Sequence, residues 1–336
     1  MLIDCFYLAL ALAILWKSAD CFVDGAVGVA EKMRIPPMLV GLVLVSIATT
    51  SPELMTSLLA ALQGHPDLAL GNAVGSVIID ASVALGLAAA VSSVPLMADP
   101  RIFRSSAIVL LVAIGLAFLL CLDGTLGSFE GALLVGVYAA YVVGSYVQLR
   151  RSQARGQKVA GEKAGELERI EEHLHGMPLS KILLLFTGGF VGVLLGSEFL
   201  LKGALGIAGA FGLPPVVTGL TITAIGTSTP EIATCVVSAL KRQSGIGVGN
   251  IIGADILNIC WVAGLSAVAH PLSAEAQTIY FMFPAVLVIV LTMLAMLRYR
   301  YCLTRLNGAV LLSLYVVYAL FIVFYVTPGS AAVPHG

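Results

Sequence analysis

Residues 35–62 read IPPMLVGLVLVSIATTSPELMTSLLAAL, and residues 213–240 read LPPVVTGLTITAIGTSTPEIATCVVSAL. The two stretches align without a gap at an offset of 178 residues (213 less 35). The same offset pairs Glu53 with Glu231, Gly71-Asn72 with Gly249-Asn250, Gly75 with Gly253, Asp80 with Asn258, and upstream Gly25-Ala26 with Gly203-Ala204. Shared hydrophobicity does not hold such matches in register across three apolar segments, so the chain is two copies of one unit.

The surroundings of these segments set the solvent. Of 336 residues, 59% are apolar and 11% charged, against about 25% charge in an ordinary soluble domain. A soluble fold of that composition would expose large apolar patches and aggregate. A soluble enzyme, a nucleic-acid binder and a disordered chain are thereby excluded, and a net charge of −1 supplies no field for polyanions. The six cysteines are scattered without CxxC spacing and read as small buried hydrophobes.

A bilayer core takes about 20 apolar residues per helix. Candidate spans lie near 2–28, 36–62, 68–94, 105–122, 128–149, 181–209, 214–240, 246–269, 278–297 and 305–326. MLIDCFYLALALAILW lacks the basic leader of a cleaved signal and reads as the first span. The expected fold is an all-α polytopic membrane protein of about ten transmembrane helices arranged as two inverted five-helix repeats. Residues 1–149 form the first repeat (motif 41–82), 150–180 a cytoplasmic linker too short for a core of its own, and 181–336 the second repeat (motif 219–260). Within the linker, GELERIEEHL reads as a short surface helix.

Basic residues orient the chain. With the N-terminus outside, the inside loops hold Lys32/Arg34, Arg101/Arg104, the Arg150–Arg169 cluster, Lys241/Arg242 and Arg298/Arg300/Arg305, and the outside loops hold none. Both termini are therefore expected to be extracytoplasmic, in the cell (inner) membrane. Five spans per half is an odd number, so the second copy enters in the opposite sense: Gln63-Gly64-His65 lies outside, its mates Lys241-Arg242-Gln243 inside. Inverted repeats let many secondary transporters open one site alternately to two sides.

Two segments in each half break the rule that spans are apolar. The first runs Ser46-Ile47-Ala48-Thr49-Thr50-Ser51-Pro52-Glu53 and again Ala224-Ile225-Gly226-Thr227-Ser228-Thr229-Pro230-Glu231. Proline in mid-helix removes a backbone donor, and broken backbone is tolerated in a membrane where protein buries it or a polar cavity adjoins it. Carbonyls, hydroxyls and a carboxylate within two turns make an oxygen-only donor set suited to Ca²⁺ rather than zinc or copper. The hydroxyls alone fit a proline kink equally well; the paired Glu53 and Glu231 do not. The second segment runs Gly71 to Asp80 and again Gly249 to Asn258, with Ser76/Asp80 and Ala254/Asn258 each sharing a helix face. Its glycines fit plain helix packing; its acid does not.

Glu53, Asp80, Glu231 and Asp255 thus put four carboxyls in the membrane. Insertion scales charge roughly 2.5–3.5 kcal/mol for each, about 10 kcal/mol for the set. Two carboxylates about 5 Å apart repel by roughly 3 kcal/mol more at an effective dielectric near 20. With no basic residue in these helices, bound cations or protons must neutralise them, which is what an exchanger needs.

Both segments resemble the α-repeats of the calcium/cation antiporter superfamily, and the chain is most similar to prokaryotic sodium/calcium exchangers over nearly its whole length. The family's G-T-S-x-P-E motif is intact from Gly226 to Glu231; the first copy reads Ala48-Thr49-Thr50-Ser51-Pro52-Glu53. The resemblance implies a central Ca²⁺ site at Glu53 and Glu231 with backbone oxygens near Thr49 and Thr227. It implies flanking Na⁺ sites at Ser46, Thr50, Ser76, Ala224 (through its carbonyl) and Ser228, and polar positions at Asp80 and Asn258. It also implies that the first and sixth helices slide as a unit across the other eight. The small molecules expected are the transported ions, Ca²⁺ and Na⁺, with H⁺ as the alternative driving ion; no cofactor or nucleic acid is expected, and the bilayer and a functional monomer complete the expected assembly.

Three departures from the family pattern stand out. Ala254 stands where a serine is usual, Val77 and Asp255 where asparagines are usual, and the Asp80/Asn258 pair is distributed oppositely in some relatives. Asp255 joins the candidate ligands and leaves the driving ion open. The function expected is Ca²⁺ export against a Na⁺ gradient, with Ca²⁺/H⁺ exchange as the alternative. An intramembrane enzyme using Glu53 and Glu231 as acid and base has neither nucleophile nor HExxH motif behind it, and a channel suits two-fold inverted symmetry poorly. Glu198 and Lys202 read as an intrahelical ion pair, and the five histidines as solvated.

Overall fold

A computed structural model describes residues 2–33, 35–154, 177–210 and 224–322. The proposed linker helix and residues 214–223 of the seventh span lie outside the described residues. Long, mostly apolar stretches without a proline give two long helices, α1 (Leu2–Met33) and, after the linker, α7 (Leu179–Ala210). At 32 residues each spans about 48 Å, well beyond a bilayer's hydrocarbon core. They lie against each other at glycines: a Cβ on Gly25 would stand 2.4 Å from the Phe186 nitrogen, and one on Gly189 2.4 Å from the Phe22 nitrogen. Leu15, Ala19, Phe22, Val23 and Ala26 with Val193 belong to a second apolar cluster, which Val40, Val45, Val237 and Ile246 join from the rest of the bundle.

The second span is broken. α2 (Pro37–Thr49) and α3 (Ser51–Leu62) meet at Thr50 with a bend of 42°. Thr50 has φ −82° and ψ 0°, outside the helical region, and Pro52 sits in the first turn of α3 with no N–H to return. The second copy repeats this, with Ser228 (φ −79°, ψ 7°) between α8 (Ala224–Thr227) and α9 (Thr229–Leu240).

Among the seven helices long and apolar enough to cross a membrane, two central ones, α4 (Pro66–Val91) and α10 (Ser244–Ala269), are the most enclosed: 78% and 83% of their most apolar stretches are buried, against 44% or less in the other five. α10 touches α2 backbone to backbone, since a Cβ on Gly41 or Gly249 would stand 2.2 Å from the Ile246 or Met38 carbonyl oxygen. Around them run α5 (Pro100–Leu120), α6 (Ser128–Ala154), α11 (Thr278–Arg298) and α12 (Arg305–Phe321). α5 starts earlier than the apolar run suggests, because the Asp99 carboxylate accepts the Arg101 and Ile102 N–H groups and caps it. Among the described residues seven helices are long and apolar enough to cross a membrane, eight if α2 and α3 count as one span.

Two short antiparallel ladders fix the direction of the copies. β1 (Leu96–Met97) pairs with β4 (Cys302–Leu303), and β2 (Thr125–Leu126) with β3 (Leu272–Ser273). α5 leaves the first ladder and ends at the second; α11 leaves the second and ends at the first. These two helices are equivalent under the 178-residue offset and run in opposite directions.

Candidate functional site

The breaks in α2–α3 and α8–α9 lead into Glu53 and Glu231, each fully buried. Beside them α4 and α10 each carry a π-helical turn, Asp80–Ala84 and Asn258–Val262, at the same place in both copies. The Leu85 N–H reaches back five residues to the Asp80 carbonyl, and the Ala263 N–H to that of Asn258. Such turns inside helices recur at functional sites because they rotate the following side chains off the regular ladder.

Three side-chain hydrogen bonds join the copies within this cluster. The Thr49 hydroxyl donates to Asn250 Oδ1 at 3.1 Å, the Thr50 hydroxyl to Glu231 Oε1 at 3.1 Å, and Asn258 Nδ2 to Asp80 Oδ2 at 3.4 Å. Ser228 stands beside both Glu53 and Asp80. Like charges act on one another throughout the cluster: Glu53 on Glu231, and Asp255 on both Asp80 and Glu231. The Ser46 hydroxyl spends its proton on the Leu42 carbonyl at 2.6 Å and keeps its lone pairs.

Each sequence-predicted residue can now be located. Ser46, Thr49, Thr50, Ser76, Asp80, Thr227, Ser228, Asp255 and Asn258 are all buried with the two glutamates. Ala224 opens α8. Many of the oxygens are unpartnered: both of Glu53, both of Asp255, Glu231 Oε2, Asp80 Oδ1, Asn258 Oδ1 and the Ser76 and Ser228 hydroxyls. No Lys, Arg or His occurs in residues 37–62, 66–91, 224–240 or 244–269. Among the described residues no three His, Cys, Asp or Glu converge into a metal cage. A cation held here would therefore take carbonyl and hydroxyl oxygens as well as carboxylates, the donor set hard ions prefer.

Three polar residues without an assigned role from sequence also belong to this region. Asn72 donates to Ser57 Oγ at 2.9 Å and to the Glu53 carbonyl at 3.4 Å, bracing α3 just after the break. Asn250 is its repeat mate. The signal was available: both are polar residues in apolar spans, matched by the offset.

The family profile described as "Sodium/calcium exchanger protein" matches residues 4–147 and 181–324. The chain belongs to the sodium/calcium exchanger protein family. MaX1 of Methanosarcina acetivorans, named a sodium/calcium exchanger, is 27% identical over 95% of this chain and 98% of its own. CaxA of Alkalimonas amylolytica is 32% identical over 95% of this chain and 98% of its own. The solved sodium–calcium exchanger NCX_Mj, soaked with Na⁺ and Sr²⁺, superposes with a TM-score of 0.77 at 26% identity, covering 96% of this chain and 99% of that one. This member of the family is a multi-pass membrane protein whose relatives are transporters, and cation exchange is its general chemistry.

Proposed function

We propose that the chain is a secondary active antiporter that exchanges Ca²⁺ for Na⁺ across the cytoplasmic membrane by alternating access. The observation that carries this reading is the buried Glu53/Glu231 pair, one acid from each copy, set among unpartnered oxygens with no cationic side chain on the helices around it. Ca²⁺ sits between the two glutamates with oxygens near Thr49 and Thr227. Na⁺ ions take the flanking places at Ser46, Thr50, Ser76, Ala224 and Ser228, with Asp80, Asn258 and Asp255 completing the set. The architecture proposed is ten spans in two inverted five-helix repeats, 1–149 and 181–336, with both termini extracytoplasmic and the monomer as the working unit. α1 and α7 move together across the bundle, a motion that their close approach at Gly25 and Gly189 supports.

A second reading, Ca²⁺/H⁺ exchange, is favoured by Asp255, a buried carboxyl with both oxygens unpartnered. Purified protein in sealed vesicles separates the two. ⁴⁵Ca²⁺ uptake driven by an outward Na⁺ gradient at equal pH supports the first reading; uptake driven only by a pH gradient replaces it with the second. Leak that ignores both gradients overturns exchange altogether.

A further inference from the structure

Tyr301 gathers arginines from two helices. It lies in the turn between α11 and α12, where Arg300 (φ 61°) and Tyr301 (φ 53°) both take the left-handed backbone that side chains rarely adopt. Its ring meets Phe103 of α5 edge-on at 5.8 Å, and its carbonyl accepts the Ala98 N–H. Arg104 of α5 donates through Nε to the Tyr301 hydroxyl at 2.8 Å, with its Cζ 5.6 Å from the ring centre. Arg298, at the end of α11, stands 5.4 Å from the same ring, and Arg300 lies 5.5 Å from the ring of Tyr299. Three exposed guanidiniums therefore share one turn.

No acid among the described residues neutralises them. Arg104, Arg298 and Arg300 make no ion pair there, and the guanidiniums of Arg298 and Arg300 donate no hydrogen bond. Residues 96–108 and 291–306 contain one acid, Asp99, whose carboxylate accepts the Arg101 and Ile102 N–H groups at the start of α5. The equivalent ladder at the other end of these helices has the opposite sign: residues 121–130 and 270–278 carry Asp123, Glu130 and Glu275 and no Lys or Arg. Two like charges held on one ring repel, and an anion between them would reverse that term.

The neighbouring surface decides which anion. Ile108, one turn into α5 from Arg104, is 65% exposed, and Leu291, two turns back along α11 from Arg298, is 50% exposed. The cationic turn thus heads an apolar strip that runs into the membrane, and the ligand that fits has an anion at one end and hydrocarbon at the other. We propose that Arg104, Arg298 and Arg300 form a binding site for the phosphate of an anionic phospholipid whose acyl chains lie along Ile108 and Leu291. Guanidinium groups pair phosphate oxygens two at a time, which suits a headgroup held between helices. Tyr299, exposed beside the arginines, sits at headgroup depth, where an amphipathic ring is favoured. A free phosphate would meet the same cations and leave the apolar strip unused.

The test uses the purified full-length protein in detergent, with native mass spectrometry reading the dissociation constant of the first bound lipid. Dioleoyl phosphatidylglycerol should bind more tightly than dioleoyl phosphatidylcholine, whose choline masks its phosphate. Arg298→Gln and Arg300→Gln should each weaken phosphatidylglycerol binding roughly tenfold, the size of one charge-assisted hydrogen bond, and leave phosphatidylcholine binding unchanged. Lys181→Gln, which removes an exposed cation at the start of α7, should alter neither. Equal binding of the two lipids overturns the proposal, as does an equal loss in Lys181→Gln, which would mean diffuse surface charge. Inorganic phosphate that displaces phosphatidylglycerol at equal concentration would mark an anion site with no use for the acyl chains and would overturn it too. Arg104→Gln should also weaken binding; because it breaks the Tyr301 bond, Arg298→Gln and Arg300→Gln decide if circular dichroism finds it unfolded.

Discussion

Asn258 Nδ2 donates to Asp80 Oδ2 at 3.4 Å, and the two residues are 178 positions apart. The bonded partners are therefore each other's repeat equivalents. A residue can touch its own mate only near the pseudo-two-fold axis, so this amide–carboxylate pair marks where the axis crosses the site. Each side chain opens a π-helical turn, which turns the pair toward the other copy.

Position on the axis makes a sharp prediction. Exchanging the pair, Asp80→Asn with Asn258→Asp, keeps one acid and one amide across the axis and should retain most Ca²⁺ transport. Asn258→Asp alone adds a fifth carboxyl to a cluster that already repels itself, at roughly 3 kcal/mol for a neighbour about 5 Å away, and should transport far less. Vesicle ⁴⁵Ca²⁺ flux checks both; an exchanged pair as inactive as the single variant would remove the axis from the mechanism.

The glutamates give the second prediction. Glu53→Gln or Glu231→Gln removes one of the two charges proposed to face the divalent ion and should lower Ca²⁺ exchange to background. Both variants should remain folded, by circular dichroism and size exclusion, because removing a buried charge relieves repulsion. Wild-type flux in either would show that the cation lies elsewhere.

Topology is tested by thiol labelling. A cysteine at the exposed Gln63 should react with an impermeant reagent from outside only. The matching probe in the second copy belongs at Arg242 rather than Gln243, because Gln243 is only 5% exposed whereas Arg242 faces solvent. It should react only from inside. Labelling of both from one side would contradict opposite insertion of the two halves.

The repeat, the broken spans and the buried acids were legible because each is written locally: a matched string, a proline, a charge in an apolar run. Boundaries were less so. The break falls at Thr50 and Ser228, two residues before each proline, since the missing N–H disturbs the turn preceding it. The π-helical turns left no local signal, as they follow from packing between copies. Nor did the partner of Asn250, Thr49, 201 residues away, show in the sequence.

Lys241 is a further case, and it supplies the fourth prediction. From the end of α9 its ammonium reaches Asp20 Oδ1 at 2.7 Å, Asp24 Oδ1 at 2.5 Å and the Asp20 carbonyl at 3.0 Å, tying the bundle to α1. Its repeat mate is Gln63 and the mate of Asp24 is Lys202, so the tie exists at one end only; Lys202 pairs instead with Glu198 at 3.1 Å along its own helix. The partners are partly exposed, which limits the tie to about 1 kcal/mol. Lys241→Gln should lower thermal stability slightly and, if α1 must move, speed exchange at saturating ions. Turnover slower than wild type would mean that the tie supports transport rather than restrains it.

The last prediction concerns Asp255, whose repeat mate is Val77. It lies three residues before Asn258 on α10, so it sits at the edge of the same stripe and is close enough to Asp80 and Glu231 for their charges to interact. A buried carboxyl with both oxygens unpartnered takes up a positive charge from whatever is at hand. Ala254 beside it lacks the hydroxyl that its mate Ser76 carries, so one oxygen donor is missing where Asp255 adds two. If Asp255 substitutes for that donor, Asp255→Asn should change the relative efficiency of Na⁺ and H⁺ gradients in driving Ca²⁺ uptake. Ala254→Ser should raise apparent Na⁺ affinity in the same assay by returning a ligand to the under-coordinated ion. Uptake curves for Asp255→Asn that superimpose on wild type under both gradients would make Asp255 a bystander and leave the driving ion to the flanking ligands proposed at Ser46, Ser76 and Ser228.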